Sequence, residues 1–245
     1  MLTASLLQLL SHQVVGLQLL AATPDGPPPP PPPMIEGLWA GHQVNFGKRR
    51  IPLRGKMTTR VDNYVLAKIT RRGDTLEISQ RACDVKIKPV AGVFADMDVE
   101  HLPGTNFELG LRMRDPRGDM FQGTSRVQWS GEDDLDGDDN PGMTVDIGGR
   151  VCAGKLYVAN DSRTTFTLTA TESLIRGHAI VRVSQAVLGA KGVCLSTFAR
   201  DTKEQVNGPV AYVPVAEGTT CEQLRGGAWP VDATRPSAKK QVANR

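Results

Sequence analysis

Aromatic residues are scarce in this chain. Three Trp, three Tyr and six Phe make up only 5% of it. A barrel that spans an outer membrane needs aromatic girdles at both interfaces and an apolar outer band, so this composition argues against one. Beyond the first 22 residues there is no apolar run long enough for a membrane helix. Histidines are few and far apart, at His12, His42, His101 and His178. None has a neighbour at metal-ligand spacing, so each reads as a surface or strand residue. None of the four cysteines has a C-x-x-C partner, which removes the usual zinc and redox signatures. The chain carries no G-x-S-x-G, H-E-x-x-H, P-loop or dinucleotide fingerprint. No catalytic constellation is legible, and no catalytic residue is assigned.

Charge is unevenly spread. The 29 basic and 26 acidic side chains give a net +3. Six of the acids crowd into 132–139: Glu132, Asp133, Asp134, Asp136, Asp138 and Asp139. Without them the balance is 29 − 20 = +9. Much of that excess lies early, at Lys48, Arg49, Arg50, Arg54, Lys56, Arg60, Arg71 and Arg72. Such a surface can attract anionic envelope components. With no nucleic-acid motif beside it, and with the bases spread at alternating positions, solvated strand faces are the simpler reading.

Residues 1–22 read as an export signal, with a short amphipathic helix as the competing reading. Leu6, Leu7, Leu9, Leu10, Val14, Val15, Leu17, Leu19 and Leu20 form an apolar core ahead of Ala21-Ala22. Residues 23–34 are a proline-rich linker whose proline run favours a stiff polyproline II spacer. This places the protein in a secreted or periplasmic setting, where Cys83, Cys152, Cys194 and Cys221 are expected as disulfides. Four cysteines allow three connectivities.

From 35 to 232 the apolar period is two. Gly37-Leu-Trp39 opens a strand, and 64–70 with 76–85 form a hairpin around Arg72-Gly73-Asp74. Phe107, Leu109, Leu111 and Met113 share one strand face, and Asp115-Pro-Arg-Gly118 is a turn into a strand that ends near Trp129. Further strands are expected at 143–148, 151–159, 164–170, from 174 towards 188 with a possible helical end, and at 210–215. The tripeptides at 72–74 and 117–119 both spell Arg-Gly-Asp, and both sit where a hairpin needs turn residues. Asp96, Asp98 and Glu100 alternate on one expected strand as a solvent-facing row. The polar, basic tail 233–245 is expected to be disordered. The sum is an all-β chain: an antiparallel up-and-down barrel of roughly eight to ten strands.

The densest signal is Asp134-Leu-Asp136-Gly-Asp138-Asp-Asn140-Pro-Gly142. Alternating carboxylates in a tight turn converge on one point, and a hard, oxygen-ligated cation such as Ca²⁺ suits that point. Asn140 could add a backbone carbonyl, as the seventh position of a calcium loop does. Asp139 stands at the sixth position, where the bend needs a left-handed residue, and Asp tolerates that conformation better than most. Val145 replaces the bidentate Glu of an EF-hand, and Asp146 follows one residue late. The expected affinity is therefore weak, in the range of extracellular modules (about 10⁻⁴–10⁻³ M).

The loop resembles the D-x-D-G-D calcium turns of thrombospondin type 3 repeats. It is still more similar to the D-x-D-G-D-G-x-P-G-x-T turn of a group of secreted, lipocalin-like bacterial β-barrel proteins. Gly37-Leu-Trp39 resembles the G-x-W start of lipocalins. Ser184-Gln-Ala-Val-Leu-Gly189 and the late Thr220-Cys221 extend the likeness over about residues 35–230. Lipocalins often tie a C-terminal segment back to an earlier strand. The resemblance thus implies a Cys83–Cys221 bridge and leaves Cys152–Cys194 as the second.

Two functions follow as expectations. One is an exported, non-catalytic, calcium-stabilised barrel that binds a small apolar ligand or serves as an envelope interaction module. The other is a barrel enzyme, an isomerase or hydrolase, with carboxylates in its cavity. The side chains that line the interior discriminate between them.

Overall fold

The computed structural model describes residues 34–51, 55–150 and 153–235. The described strands are β1 (Glu36–Ile51), β2 (Gly55–Arg72), β3 (Thr75–Ile87), β4 (Val93–Met97), β5 (Thr105–Met113), β6 (Asp119–Trp129), β7 (Met143–Gly149), β8 (Gly154–Ala170), β9 (Ile175–Lys191) and β10 (Thr202–Pro214). Two short helices, α1 (Val193–Phe198) and α2 (Cys221–Arg225), and a 3-10 turn at Val99–His101 complete the set. The expected leader and most of the proline-rich linker lie outside the described residues. So do Cys152 and residues 236–245 of the tail.

All strand pairings are antiparallel. They run β1–β2–β3–β5–β6–β8–β9–β10 and close back onto β1. The result is a barrel-like ring of eight strands in up-and-down order, with β4 and β7 added at one end. The two added strands explain how the ring makes room for the acidic segment. β6 follows β8 from Ala170 to Asn160. β7 resumes on the same edge of β8 at Val158 and runs on to Gly154. Strands β6 and β7 are thus one long strand interrupted by the excursion 130–142.

One half of the interior is filled. Trp39, Tyr212, Phe121, Phe166, Ile69, Leu76, Leu109, Leu168 and Ile175 are at most 1% exposed and pack into one cluster. Phe107 stacks on Phe166 with ring centres 5.0 Å apart. Each such burial is worth roughly 1.5–3 kcal/mol of transfer free energy. Gly41 belongs here because a Cβ would meet the Tyr212 ring and Val65 at 2.4–2.6 Å. Burial raises the Tyr212 hydroxyl far above its ordinary value, and the hydroxyl donates to Gln80 Oε1 at 3.0 Å. Arg71 and Asp119 are buried at this end, 2.7 Å apart, with side chains 4% and 7% exposed. The guanidinium also lies over the Phe121 ring, 5.2 Å from its centre.

The register places a different set of side chains inward in the other half. Val181, Val183 and Val206 alternate there with Asn63, Ser125, Thr164 and Gln185, together with the carboxylate Glu204. Gly47 lies among them, since a Cβ would meet Thr59 Oγ1 at 2.6 Å and Val206 at 2.8 Å, with Glu204 Oε2 at 3.8 Å.

Several strand boundaries differ from the sequence reading. Residues 151–159 and 164–170 are not two strands, because β8 runs unbroken through Asn160-Asp-Ser-Arg163. That tetrapeptide has turn composition, but β6 and β9 satisfy its backbone on both edges. β9 stays extended to Lys191, and helix α1 follows it rather than ending it. Met113 is 50% exposed, because a register shift after Leu111 turns it off the buried face of Phe107 and Leu109. The row Asp96, Asp98, Glu100 is exposed as expected but does not lie on one strand. β4 ends at Met97, and the Asp98 carboxylate caps the 3-10 turn by accepting from Glu100 N. Ala233, where composition places the start of a disordered tail, is 3% exposed and packs beside Val44 and Ala211.

Cys83 of β3 and Cys221 of α2 form a disulfide with Cα atoms 5.1 Å apart. Cys194 is also disulfide-bonded; its expected partner, Cys152, is outside the described residues.

Candidate metal centre

The excursion 130–142 is pinned at both ends before its carboxylates are considered. Leu135 N donates to Gly142 O at 2.9 Å, and Gly142 N donates to Asp133 O. The Leu135 side chain packs into a satellite core with Met143, Val145, Val158 and Trp129. Trp129 Nε1 donates to Val158 O at 2.8 Å, which holds the β6 end of the excursion against β8. Gly142 has φ +79°, and a Cβ there would meet Val158 O at 2.4 Å, so only glycine fits. Gly137 and Asp139 supply two more left-handed residues, at φ 66° and 63°. Asp139 therefore makes the bend expected at the sixth loop position.

The loop brings Asp134, Asp136 and Asp138 together. One carboxylate oxygen from each lies within 4.8 Å of the others, an arrangement that could hold a metal ion. Most of the remaining oxygens are committed. Asp134 accepts from Asp138 N at 3.2 Å and Asp139 N at 3.0 Å. Asp138 accepts from Asn140 N, Asn140 Nδ2 and Thr144 Oγ1 at 2.9–3.1 Å. Asp136 Oδ2 accepts from Thr144 N at 2.9 Å. Asp136 Oδ1 is buried and has no donor. Hydrogen bonds from Asn140 hold the Asp138 carboxyl below its ordinary range. Lys155 Nζ approaches Asp138 Oδ2 at 3.8 Å.

Asn140, expected to offer its backbone carbonyl, donates from its side-chain amide to Asp138 and so holds the seventh loop position against the triad. Asp146 is exposed on β7, opposite Lys155 in register. Asp133, whose carboxylate accepts from Ser130 N and Oγ at 3.0 Å, braces the loop entrance.

A second polar cluster lies on the outer face of β1 and β2, under residues 229–235. His42 is 4% exposed and stacks on Tyr64 with ring centres 4.6 Å apart. Its Nδ1 accepts from Ala233 N at 3.1 Å, which makes Nε2 the donor to Asp62 Oδ1 at 3.0 Å. Arg60 forks onto both Asp62 oxygens at 2.7 Å. Burial pushes the Asp62 carboxyl up, but the hydrogen bonds from Arg60 and His42 outweigh it and leave it below the ordinary range. Trp229 packs edge-on against Tyr64. The sequence signal for this cluster is weak: His42, Val44, Asp62 and Tyr64 alternate correctly, but nothing local marks the segment that covers them.

Comparison of the chain with protein-family models, curated proteins and solved structures finds no match.

Proposed function

We propose that this is an exported, non-catalytic binding protein whose acidic excursion is held by one Ca²⁺. Asp136 Oδ1 carries the calcium reading. A charged oxygen buried without a donor is costly, and the Asp136 carboxylate that carries it is grouped with those of Asp134 and Asp138. A cation there converts mutual repulsion into ligation. An all-oxygen donor set suits Ca²⁺, and Mg²⁺ fits carboxylates already oriented by the loop's own hydrogen bonds poorly, because it demands near-octahedral geometry and holds its waters. The disulfides support an oxidising compartment.

The non-catalytic reading rests on the interior. Half of it is core. Among the residues whose side chains are described, the inward strand positions of the other half carry one carboxylate, Glu204, and no second carboxylate or histidine beside it. Valines there offer an apolar wall, and Asn63, Ser125, Thr164 and Gln185 offer hydrogen bonds at its edge. The ligand that suits this half is small, with an apolar body and a few polar groups. Thermal melting in chelator and in calcium tests the metal reading. Equal melting temperatures would overturn it.

A further inference from the structure

The outer face of β6, β8 and β9 carries a row of arginines in register. Arg126 pairs with Arg163 across β6 and β8, and Arg163 pairs with Arg182 across β8 and β9. Like charges directly opposite one another destabilise a sheet. The next row, one pleat away, places Asp161 opposite Ser184 and Ser184 opposite Lys203. Asp161 is the carboxylate on this face of the described residues, and both of its oxygens accept from Arg126, at 2.8 and 2.9 Å. Arg182 reaches Gln205 Oε1 at 3.4 Å, which orients its guanidinium along the sheet. Among the described residues Lys203 makes no hydrogen bond or ion pair, and Arg163 makes none either, though its charge also acts on the Asp161 carboxylate. Arg163, Arg182, Lys203, Asp161, Ser184 and Gln205 line a shallow groove of about 430 Å³, to which Val183 and Glu204 also contribute. Glu204, adjacent to Lys203, does not neutralise them, because its carboxylate lies on the opposite face near Gly47.

Three cations in one groove, against an Asp161 whose oxygens are bonded to Arg126 and a Glu204 whose carboxylate turns towards Gly47, leave a concave surface with an excess of positive charge. Opposed residues on neighbouring strands have Cβ atoms about 4.5–5.5 Å apart, so two guanidinium forks can reach a single oxyanion. Arginine is also the side chain best matched to the fork geometry of phosphate. We propose that this groove binds a phosphate-type oxyanion, held between Arg163 and Arg182 with Lys203 and Ser184 at its margin. The same chemistry is offered by a free phosphate and by the phosphomonoester of a lipid headgroup. The site is separate from the acidic excursion and does not rest on calcium.

The test is run in chelator, so that the calcium reading and this one fail independently. Inorganic phosphate is titrated into the protein by calorimetry, and vesicles of phosphatidylcholine with or without phosphatidic acid are sedimented with it. Arg163→Gln and Arg182→Gln are compared with Lys88→Gln, which removes one exposed positive charge elsewhere. Phosphate is expected to bind the parent chain and Lys88→Gln alike, and each arginine variant at least tenfold more weakly. Sedimentation only with phosphatidic acid, lost in the arginine variants, identifies the headgroup as the source. Phosphate binding without sedimentation identifies the free anion. No response to either probe, or equal weakening in Lys88→Gln, would overturn the proposal. In phosphate-free buffer Arg163→Gln should melt no lower than the parent, since it relieves the opposed charges; a lower melting temperature would show that the row is structurally required and overturn the reading.

Discussion

Thr144 N donates to Asp136 Oδ2 at 2.9 Å, and this bond fixes which carboxylate oxygen is left over. The strand that follows the excursion thereby orients Asp136, whose second oxygen is buried without a donor in a carboxylate grouped with those of Asp134 and Asp138. If the dissociation constant for calcium is about 10⁻⁴ M, about 10 mM calcium adds roughly 2.7 kcal/mol to the folded state. The expected result is a clear rise in melting temperature with calcium and little with magnesium. Asp136→Ala should abolish most of that rise. A full calcium response in Asp136→Ala would place the ion elsewhere.

Two backbone substitutions in the same excursion should act in opposite directions. Asp139 holds φ 63° with a side chain attached, so Asp139→Gly is expected to leave stability unchanged or raise it by up to about 1 kcal/mol. Gly142→Ala adds a Cβ at 2.4 Å from Val158 O with φ +79°. It should cost about 1–3 kcal/mol and weaken calcium binding, because the close of the loop is displaced. Chemical denaturation of both variants checks this. A neutral Gly142→Ala would show that the loop closes in some other way.

The strands were legible where both neighbours agree with the alternation. Phe166 and Leu168 alternate with threonines and are buried as their period demands. Period alone misleads where tertiary pairing overrides local composition. Asn160-Asp-Ser-Arg163 looks like a turn, yet both of its edges are paired in β8. Met113 continues the pattern of Leu111 but sits past a register shift that no local residue announces. The three aspartates of the excursion were legible because short-range spacing brings them together. Distant partners were not legible. Nothing near Arg71 in the chain points to Asp119, and nothing near His42 points to Ala233.

The Arg71–Asp119 pair is a sensitive point of the core. It closes at 2.7 Å, but Arg71 Nη1 and Nη2 and Asp119 Oδ2 lack well-angled hydrogen bonds. Asp119→Ala strands a buried guanidinium and is expected to cost about 3–5 kcal/mol. The double change Arg71→Met with Asp119→Leu removes both charges and should recover most of that loss. Urea denaturation of the two proteins checks this. A double variant as unstable as the single one would mean that the pair contributes more than charge balance.

The C-terminal segment should release in acid before the ring unfolds. Its docking depends on His42, which Asp62 and Tyr64 hold in place while Nδ1 accepts from Ala233 N. Burial acts to raise the Asp62 carboxyl, but the bonds from Arg60 and His42 leave its folded-state value depressed. Asp232, beside them, is lowered by the Thr234 hydroxyl. A carboxyl depressed by folding adds stability that is complete above its unfolded value, about 3.9, and is lost as the pH falls through the lower folded value. Trp229 packs on Tyr64 and reports the docking. Its fluorescence is expected to change reversibly below about pH 4, ahead of the loss of far-ultraviolet circular dichroism. Asp62→Asn removes that titration and should also loosen the segment at neutral pH. His42→Ala deletes the acceptor of a buried N–H and should cost about 1–3 kcal/mol. If Trp229 fluorescence and the strand signal change together in acid, and Asp62→Asn leaves both midpoints in place, the segment is not held by this cluster.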